Sequence, residues 1–329
     1  MGASDETADP NRALIAGRDY PRTYREFTVM FPDELACSGY LEKLRWPHLF
    51  SCPCCGTEGE AWRQTRGRLL CRHCRHQSSV TSGTILQKTR TPLTTWFEAA
   101  WLLTTAKNGL SAKTLERTLG VSYRTAWTML HRFRVAMVRA ERGQLSGHVE
   151  VDETLVGGID KRGKPGRGTS KEVVVIAVEV LEPRGFGRIR MRRIPASAGA
   201  HLVGFICDVV VPGSEVHTDD WRGYAPLSRE NFIRRVTNLS MSGDPAHVVM
   251  PGVHRVASLL KRWILGTHQG SVAAEHLQGY LEEFTFRFNR RTSRSRGLVF
   301  RRLLEQTVAT GPITGADLTF GYEWPDRKM

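Results

Sequence analysis

Apolar positions follow a helical period early in the chain and a strand period in its middle. From Tyr24, the residues Phe27, Met30, Phe31, Leu35 and Leu41 recur at helix-like steps and lead into a cluster of cysteines. After Pro92, the series Leu93, Trp96, Phe97, Ala100, Trp101 and Leu102 predicts a helix ending near Gly109, and two shorter helical stretches run to about Arg142. Beyond Gly143-Gln144 the period becomes two: Val149, Val151 and Leu155 alternate with His148, Glu150, Asp152 and Thr154, which predicts a strand. The Gly-rich basic segment Lys161 to Ser170 reads as a hairpin loop, followed by strands over Val173 to Leu181 and Ile189 to Ile194. Then come a helix over Ala196 to Val211, strands over Glu215 to Asp219 and Phe232 to Thr237, and helices over Arg255 to Leu265 and Val272 to Asn289. Three strands followed by alternating helix and strand predict an α/β unit with a mixed sheet. Met1 to about Tyr20 is polar and without period, as expected of a loose tail.

Composition narrows the class. With 329 residues, 40% of them hydrophobic, the chain can bury at least one full-sized core, so a disordered or fibrous protein is excluded. A formal net charge of +14 favours a polyanionic partner, nucleic acid first. No apolar run reaches the length of a membrane span, and the N-terminus lacks the pattern of a signal peptide; no membrane association and a cytoplasmic location are expected.

Cys52, Cys55, Cys71 and Cys74 form two C-x2-C pairs separated by 15 residues. This is the spacing of two knuckles closing a tetrahedral thiolate site, so structural Zn2+ is expected. Cys54 is a possible substitute ligand and His73 and His76 weaker ones, while Cys37 and Cys207 read as plain buried residues. From Ser111, the residues Leu115, Leu119, Val121, Ala126, Met129 and Leu130 fall where two short helices pack across a turn at Gly120-Val121-Ser122. Ser122 is a natural N-cap for the second helix, which would expose Tyr123, Arg124, Thr125, Thr128 and Arg132 as DNA contacts of a helix-turn-helix. Many helical hairpins share this pattern without touching DNA; a basic chain with an adjacent cysteine cluster tilts the reading toward DNA.

Asp152 ends the run HVEVD and Asp219 ends EVHTD. Aspartates near the ends of adjacent strands could share Mg2+ or Mn2+, as in phosphoryl transfer. The same alternation fits a solvated strand face, and Asp220, Glu150 and Glu153 have equally suitable chemistry.

The knuckles CPxCG and CRxC, then QSSVTSGT, VDETLVGG, HTDDWRGY, HRVASLLKRWILGTHQG and YLEEFTFRFNRR, occur in one order between about Phe27 and Gln306. In this they resemble the ISXO-like insertion-sequence transposases, family fifteen-ninety-five. The resemblance implies a multidomain chain: a flexible tail over 1–24, a zinc-ribbon region over 25–90, a helix-turn-helix region over 91–143, a ribonuclease-H-like DDE-type catalytic domain with a mixed sheet over 144–306, and a C-terminal tail over 307–329. It places the first two metal-binding aspartates on Asp152 and Asp219, with Asp220 standing where glycine is more usual. The third ligand of the family, Glu or Asn, lies seven residues before a lysine in an SLLKR-type segment; here the lysine is Lys261 and the ligand position is His254. The implied centre is therefore DDH, and imidazole can bind Mg2+ or Mn2+ through nitrogen. Glu283, Arg287 and Arg294 resemble a further signature of some members, as a brace beside phosphate-binding Arg290, Arg291 and Arg294; the plainer reading is a solvated i,i+4 pair of Glu283 and Arg287.

The expected activity is metal-dependent cleavage and strand transfer at the terminal inverted repeats of a mobile element. Partners would be those repeats, target DNA and further copies of the chain in a homo-oligomer on DNA, with the protein at the nucleoid. Two alternatives share these residues: a DNA-binding regulator derived from a transposase with an inactive catalytic domain, and a nuclease that cuts without joining.

Overall fold

The structure, a computed structural model, describes residues 13–139, 142–157, 171–238, 241, 243, 245–270, 272–320, 322 and 324; the hairpin loop expected at Lys161 to Ser170 lies outside them. The chain divides into two compact units, one built from the residues up to Arg139 together with Ser293–Thr319, the other from the intervening residues to Thr292.

The first unit opens with α1 (Tyr24–Met30) and α2 (Glu34–Arg45), capped by Thr23 and Asp33, whose side chains accept from the backbone N–H groups of Glu26 and Ala36. Five short strands follow: β1 (Phe50–Ser51) and β2 (Glu58–Gly59) form one hairpin, and β3 (Ala61–Arg63), β4 (Leu69–Cys71) and β5 (Gln77–Ser78) a three-stranded antiparallel sheet. The next helix, α3 (Leu93–Thr105), starts after Pro92, which has no capping side chain. The Glu34 carboxylate takes that role, accepting from the backbone N–H groups of Leu93 and Thr94 at 2.9 and 2.8 Å. Two further helices, α4 (Ala112–Leu119) and α5 (Tyr123–Ala136), complete this stretch.

In the second unit, β6 (His148–Val156), β7 (Glu172–Val180) and β8 (Phe186–Ile194) are antiparallel neighbours. After α6 (Gly199–Val209), β9 (Glu215–Asp219) joins β6 in parallel, and β10 (Ile233–Thr237) lies parallel to β9. The resulting mixed sheet has the order β10-β9-β6-β7-β8. After a short α7 (Ala246–Val249), α8 (Pro251–His268) and α9 (Leu277–Phe288) follow. The sheet is covered on both faces. On one, Val149, Val151, Val175, Ala177 and Val216 pack with Leu202, Phe205 and Ile206 of α6; on the other, Val174, Ile176, Val178 and Met191 pack with Val253, Val256 and Leu260 of α8 and Leu281 of α9. This explains the nearly continuous apolar run of β7, which has no solvent face. Helix α8 starts earlier than the expected Arg255, because Pro251 suits the first helical position, where its missing N–H is no loss.

From Ser293 the chain belongs to the first unit again, adding α10 (Arg296–Ala309) and α11 (Gly315–Phe320). Neither helix was expected from the sequence. Phe300 of α10 meets Phe27, Phe31, Phe97 and Trp101 with ring centroids 5.7 to 5.9 Å apart, an aromatic cluster at the centre of this unit. Cys37 is fully buried, as expected, whereas Cys207 is only half-buried. Among the described residues, no helix is long and apolar enough to cross a membrane.

Two substitutions test these packings. A Cβ at Gly297 would overlap the carbonyl oxygen of Pro21, so Gly297→Ala is expected to destabilise the first unit by about 1–3 kcal/mol in denaturant unfolding. In the second unit the Glu282 carboxylate accepts from both terminal nitrogens of Arg142, at 2.6 and 2.9 Å, with the glutamate side chain only 2% exposed. Glu282→Ala strands Arg142 and is expected to cost about 3–5 kcal/mol in the same measurement.

Candidate functional site

The four cysteines come together at the ends of two matching turns. Gly56 N–H donates to the Cys52 carbonyl and Arg75 N–H to the Cys71 carbonyl, and both Gly56 and Arg75 have left-handed backbones, with φ of 71° and 60°. The sulfurs of Cys52 and Cys74 lie 3.6 Å apart and those of Cys55 and Cys71 3.8 Å. A tetrahedral Zn–S site has an edge of about 3.8 Å, so the four thiols fit Zn2+ with little adjustment. Cys54, the alternative ligand, is exposed and stands outside the four-sulfur group.

Helices α4 and α5 are joined by the expected turn. Gly120 adopts φ 65° as the C-cap of α4, and the Ser122 side chain accepts from Thr125 N–H to cap α5. Leu115, Ala126, Met129 and Leu130 are buried as expected, whereas Leu119 and Val121 are half-buried. Of the five residues expected on the exposed face, Tyr123 and Arg124 are exposed; Thr125, Thr128 and Arg132 are half-buried. The last three line a cavity of about 280 Å3 together with Lys88, Arg90 and Arg124. Arg132 also donates to the Ile313 carbonyl at 3.1 Å, and its burial lowers its pKa. Lys88 and Arg90 escaped the sequence reading; the only signal was the basic KTR run just before Pro92.

In the sheet unit, the parallel register pairs His148 with Glu215 and Glu150 with His217. One further strand period along each chain puts Asp152 and Asp219 at equivalent positions on the same face, the face covered by α8. Asp152 Oδ1 accepts from Glu153 N–H at 2.8 Å, and Asp219 Oδ1 from Trp221 N–H at 3.1 Å. The other carboxylates are differently engaged. Glu150 accepts from Val253 N–H at the start of α8, Glu153 from the Tyr224 hydroxyl, and Asp220 from the Asn238 side chain. The polar face of β6 is therefore not solvated at Glu150, which is only 2% exposed.

His254 and Lys261 lie two turns apart on α8. Burial lowers the pKa of His254, with His247 and Lys261 adding to the effect, so the imidazole stays neutral; its Nε2 is buried without a hydrogen-bond partner among the described residues. Burial, helped by Lys171, also lowers the pKa of Lys261, and the nearby charge of Asp152 opposes this. Among the described residues, Asp152, Asp219 and His254 are not a group whose donor atoms converge to within 4.8 Å, so the expected DDH set is not brought together in this structure.

The basic C-terminal residues behave differently from expectation. Glu283 is completely buried, because α9 lies against the sheet, so a solvated Glu283–Arg287 pair is ruled out. Arg290 stacks on Phe286 and Arg291 on Phe288, each 3.9 Å from the ring centroid, and Arg291 also donates to the carbonyls of Phe186 and Gly187. Arg294 is exposed, and Arg287 half-buried.

A family model described as ISXO2-like transposase domain matches residues 144–289, and one described as transposase zinc-ribbon domain matches residues 32–77. An uncharacterized protein in transposable element ISH50 of Halobacterium salinarum is 29% identical over 277 residues, covering 78% of this chain and 91% of the relative. The cysteine turns fall within the zinc-ribbon match and the aspartate-bearing strands within the transposase-domain match, so over both segments the chain is similar to the ISXO2-like transposases.

Proposed function

We propose that the chain is a metal-dependent DNA transposase that binds the terminal inverted repeats of an insertion sequence, cleaves them and joins the freed ends to target DNA. The observation that carries this reading is the parallel pairing of β6 with β9 up to Glu150 and His217, which carries Asp152 and Asp219 one strand period further on the face covered by the helix bearing His254 and Lys261. The sheet order, three antiparallel strands continued by two parallel ones, supports a ribonuclease-H-like domain.

Asp152 and Asp219 would supply hard oxygen donors to Mg2+ or Mn2+, and His254 its neutral ring nitrogen. When bound, such ions activate the attacking oxygen and stabilise the leaving one. Attack by water on the phosphodiester at the element's end would break the P–O3′ bond, leaving a 3′-hydroxyl and a 5′-phosphate, and attack by that 3′-hydroxyl on a target phosphodiester would join the strands and release a target 3′-hydroxyl. Lys261 offers its ammonium to a phosphate near the cleaved end. Its partial burial and its distance of two turns from His254 keep it on the aspartate side of α8.

End recognition is assigned to the zinc ribbon and to the α4–α5 helix-turn-helix, with Tyr123 and Arg124 as its exposed contacts and the basic cavity beside them for backbone phosphate. Arg287, Arg290 and Arg294 are further phosphate candidates; Arg291 is the weakest, because its guanidinium is occupied by three carbonyls and a ring. Pairing two ends calls for a homo-oligomer on DNA, with the nucleoid as the place of action. The regulator reading rests on His254 standing where the family carries Glu or Asn, and the unpartnered, neutral Nε2 argues for a working ligand instead.

Two measurements test the proposal. In a strand-transfer assay with the flanking DNA ends and Mn2+ or Mg2+, the natural protein is expected to give joined product. Asp152→Asn and His254→Ala should abolish joining while leaving end binding intact; binding without product, restored only by His254→Glu, would establish the regulator. Separately, Arg124→Ala is expected to weaken end binding and to reduce the slope of log K against log salt by about 0.9, the value for one lost phosphate contact.

A further inference from the structure

The face that carries Asp152 and Asp219 holds a second group of metal-ligating side chains, one strand period upstream. His148 and Glu150 of β6 and His217 of β9 each direct a donor atom to within 4.8 Å of the other two. Glu150 and His217 are each 2% exposed, and the His148 side chain 20%. Burying a carboxylate and two imidazoles together is costly unless their polar atoms are satisfied, and here the satisfaction is incomplete. His148 Nε2 is buried without a partner among the described residues. The Glu150 carboxylate is held by backbone N–H groups of Val253 and Gly252, with no hydrogen bond from a cationic side chain among the described residues. The Arg235 guanidinium lies 3.5 Å from Glu215.

The outer contact of His217 has the pattern seen around metal-bound histidine, where the second nitrogen is held by an oxygen: its Nε2 lies 2.8 Å from Thr237 Oγ1, which leaves Nδ1 for the cluster. His148 Nδ1 makes a looser ion-pair contact, 3.7 Å from a Glu215 carboxylate oxygen and beyond hydrogen-bond reach, and its Nε2 is the unpartnered nitrogen.

We propose that His148, Glu150 and His217 form a divalent-metal site of the zinc class, distinct from the four-cysteine site and from the Asp152, Asp219 and His254 set. Two imidazoles and one carboxylate suit zinc better than Mg2+, which prefers oxygen ligands and retained waters. Three protein ligands leave a fourth position for water. The ion would cross-link β6 and β9 roughly 7 Å, two residues of strand, from the aspartates. Its role is to fix the register of the two strands and offset the buried charge of Glu150. The inference does not depend on the chain's being an active transposase.

The test is metal analysis of the full chain, purified, supplied with excess Zn2+ and freed of loosely bound ions by gel filtration. About two zinc ions per chain are expected. His148→Gln, at the more accessible rim of the cluster, should remove one of them while the circular dichroism spectrum stays native, and His217→Gln should do the same. Asp152→Asn should keep both. In a Cys52→Ser/Cys55→Ser variant loaded with Co2+, visible d–d bands should persist without thiolate charge transfer and disappear on adding His148→Gln. One zinc per natural chain, or a second zinc that survives both histidine substitutions, would overturn the proposal, as would a second zinc lost only in Asp152→Asn.

Discussion

The sheet unit depends on one buried hydrogen bond, from Val253 N–H to the Glu150 carboxylate at 3.0 Å. It ties the first turn of α8 to the central strand, at a helix end where free N–H groups and the helix dipole favour a negative charge. Everything at the candidate centre follows from that anchor. Val253 is adjacent to His254, and Glu150 is one strand period from Asp152, so the same contact sets both the helix that bears the imidazole and the strand that bears the carboxylate. Gly252 belongs to this arrangement: a Cβ there would come within 2.8 Å of a Glu150 oxygen. Burial raises the Glu150 pKa, opposed by the N–H groups of Val253 and Gly252, so the anchor is a compromise between desolvation and hydrogen bonding.

Around that anchor, the two halves of the sheet do different work. The antiparallel side is centred on β7, whose apolar residues pack on both faces of the sheet. The parallel side, β6 with β9, brings together His148, Glu150, Asp152, Glu215, His217 and Asp219 along one face. Such a concentration of ionisable groups under a helix costs stability. Proteins accept that cost where the groups have work to do, because perturbed titration and incomplete hydrogen bonding are what ligands and catalysts require.

Local features were readable from the residues alone. The C-x2-C spacing led to a sulfur group of tetrahedral dimensions, the Gly120 and Ser122 signals to a capped turn, and period two to β6 and β9. What escaped was whatever depends on a distant partner. Glu283 and Arg287 have the spacing of a surface pair, but the burial of α9 is decided by the sheet beneath it. Arg291 reads as a phosphate contact until Phe288 and the carbonyls of β8 claim its guanidinium. His148 and His217 are 69 residues apart in the chain, and only strand pairing makes them neighbours. The fate of Lys88 and Arg90 turned on the cavity that α5 forms beside them.

The discontinuous make-up of the first unit bears on the order of its biogenesis. Phe300 supplies a ring to the aromatic cluster of Phe27, Phe31, Phe97 and Trp101, yet it leaves the ribosome only after the whole sheet unit has been made. Until then the N-terminal helices have an unfilled core. A transcript truncated within the sheet region therefore encodes a polypeptide whose amino-terminal helices lack the ring that completes their aromatic cluster.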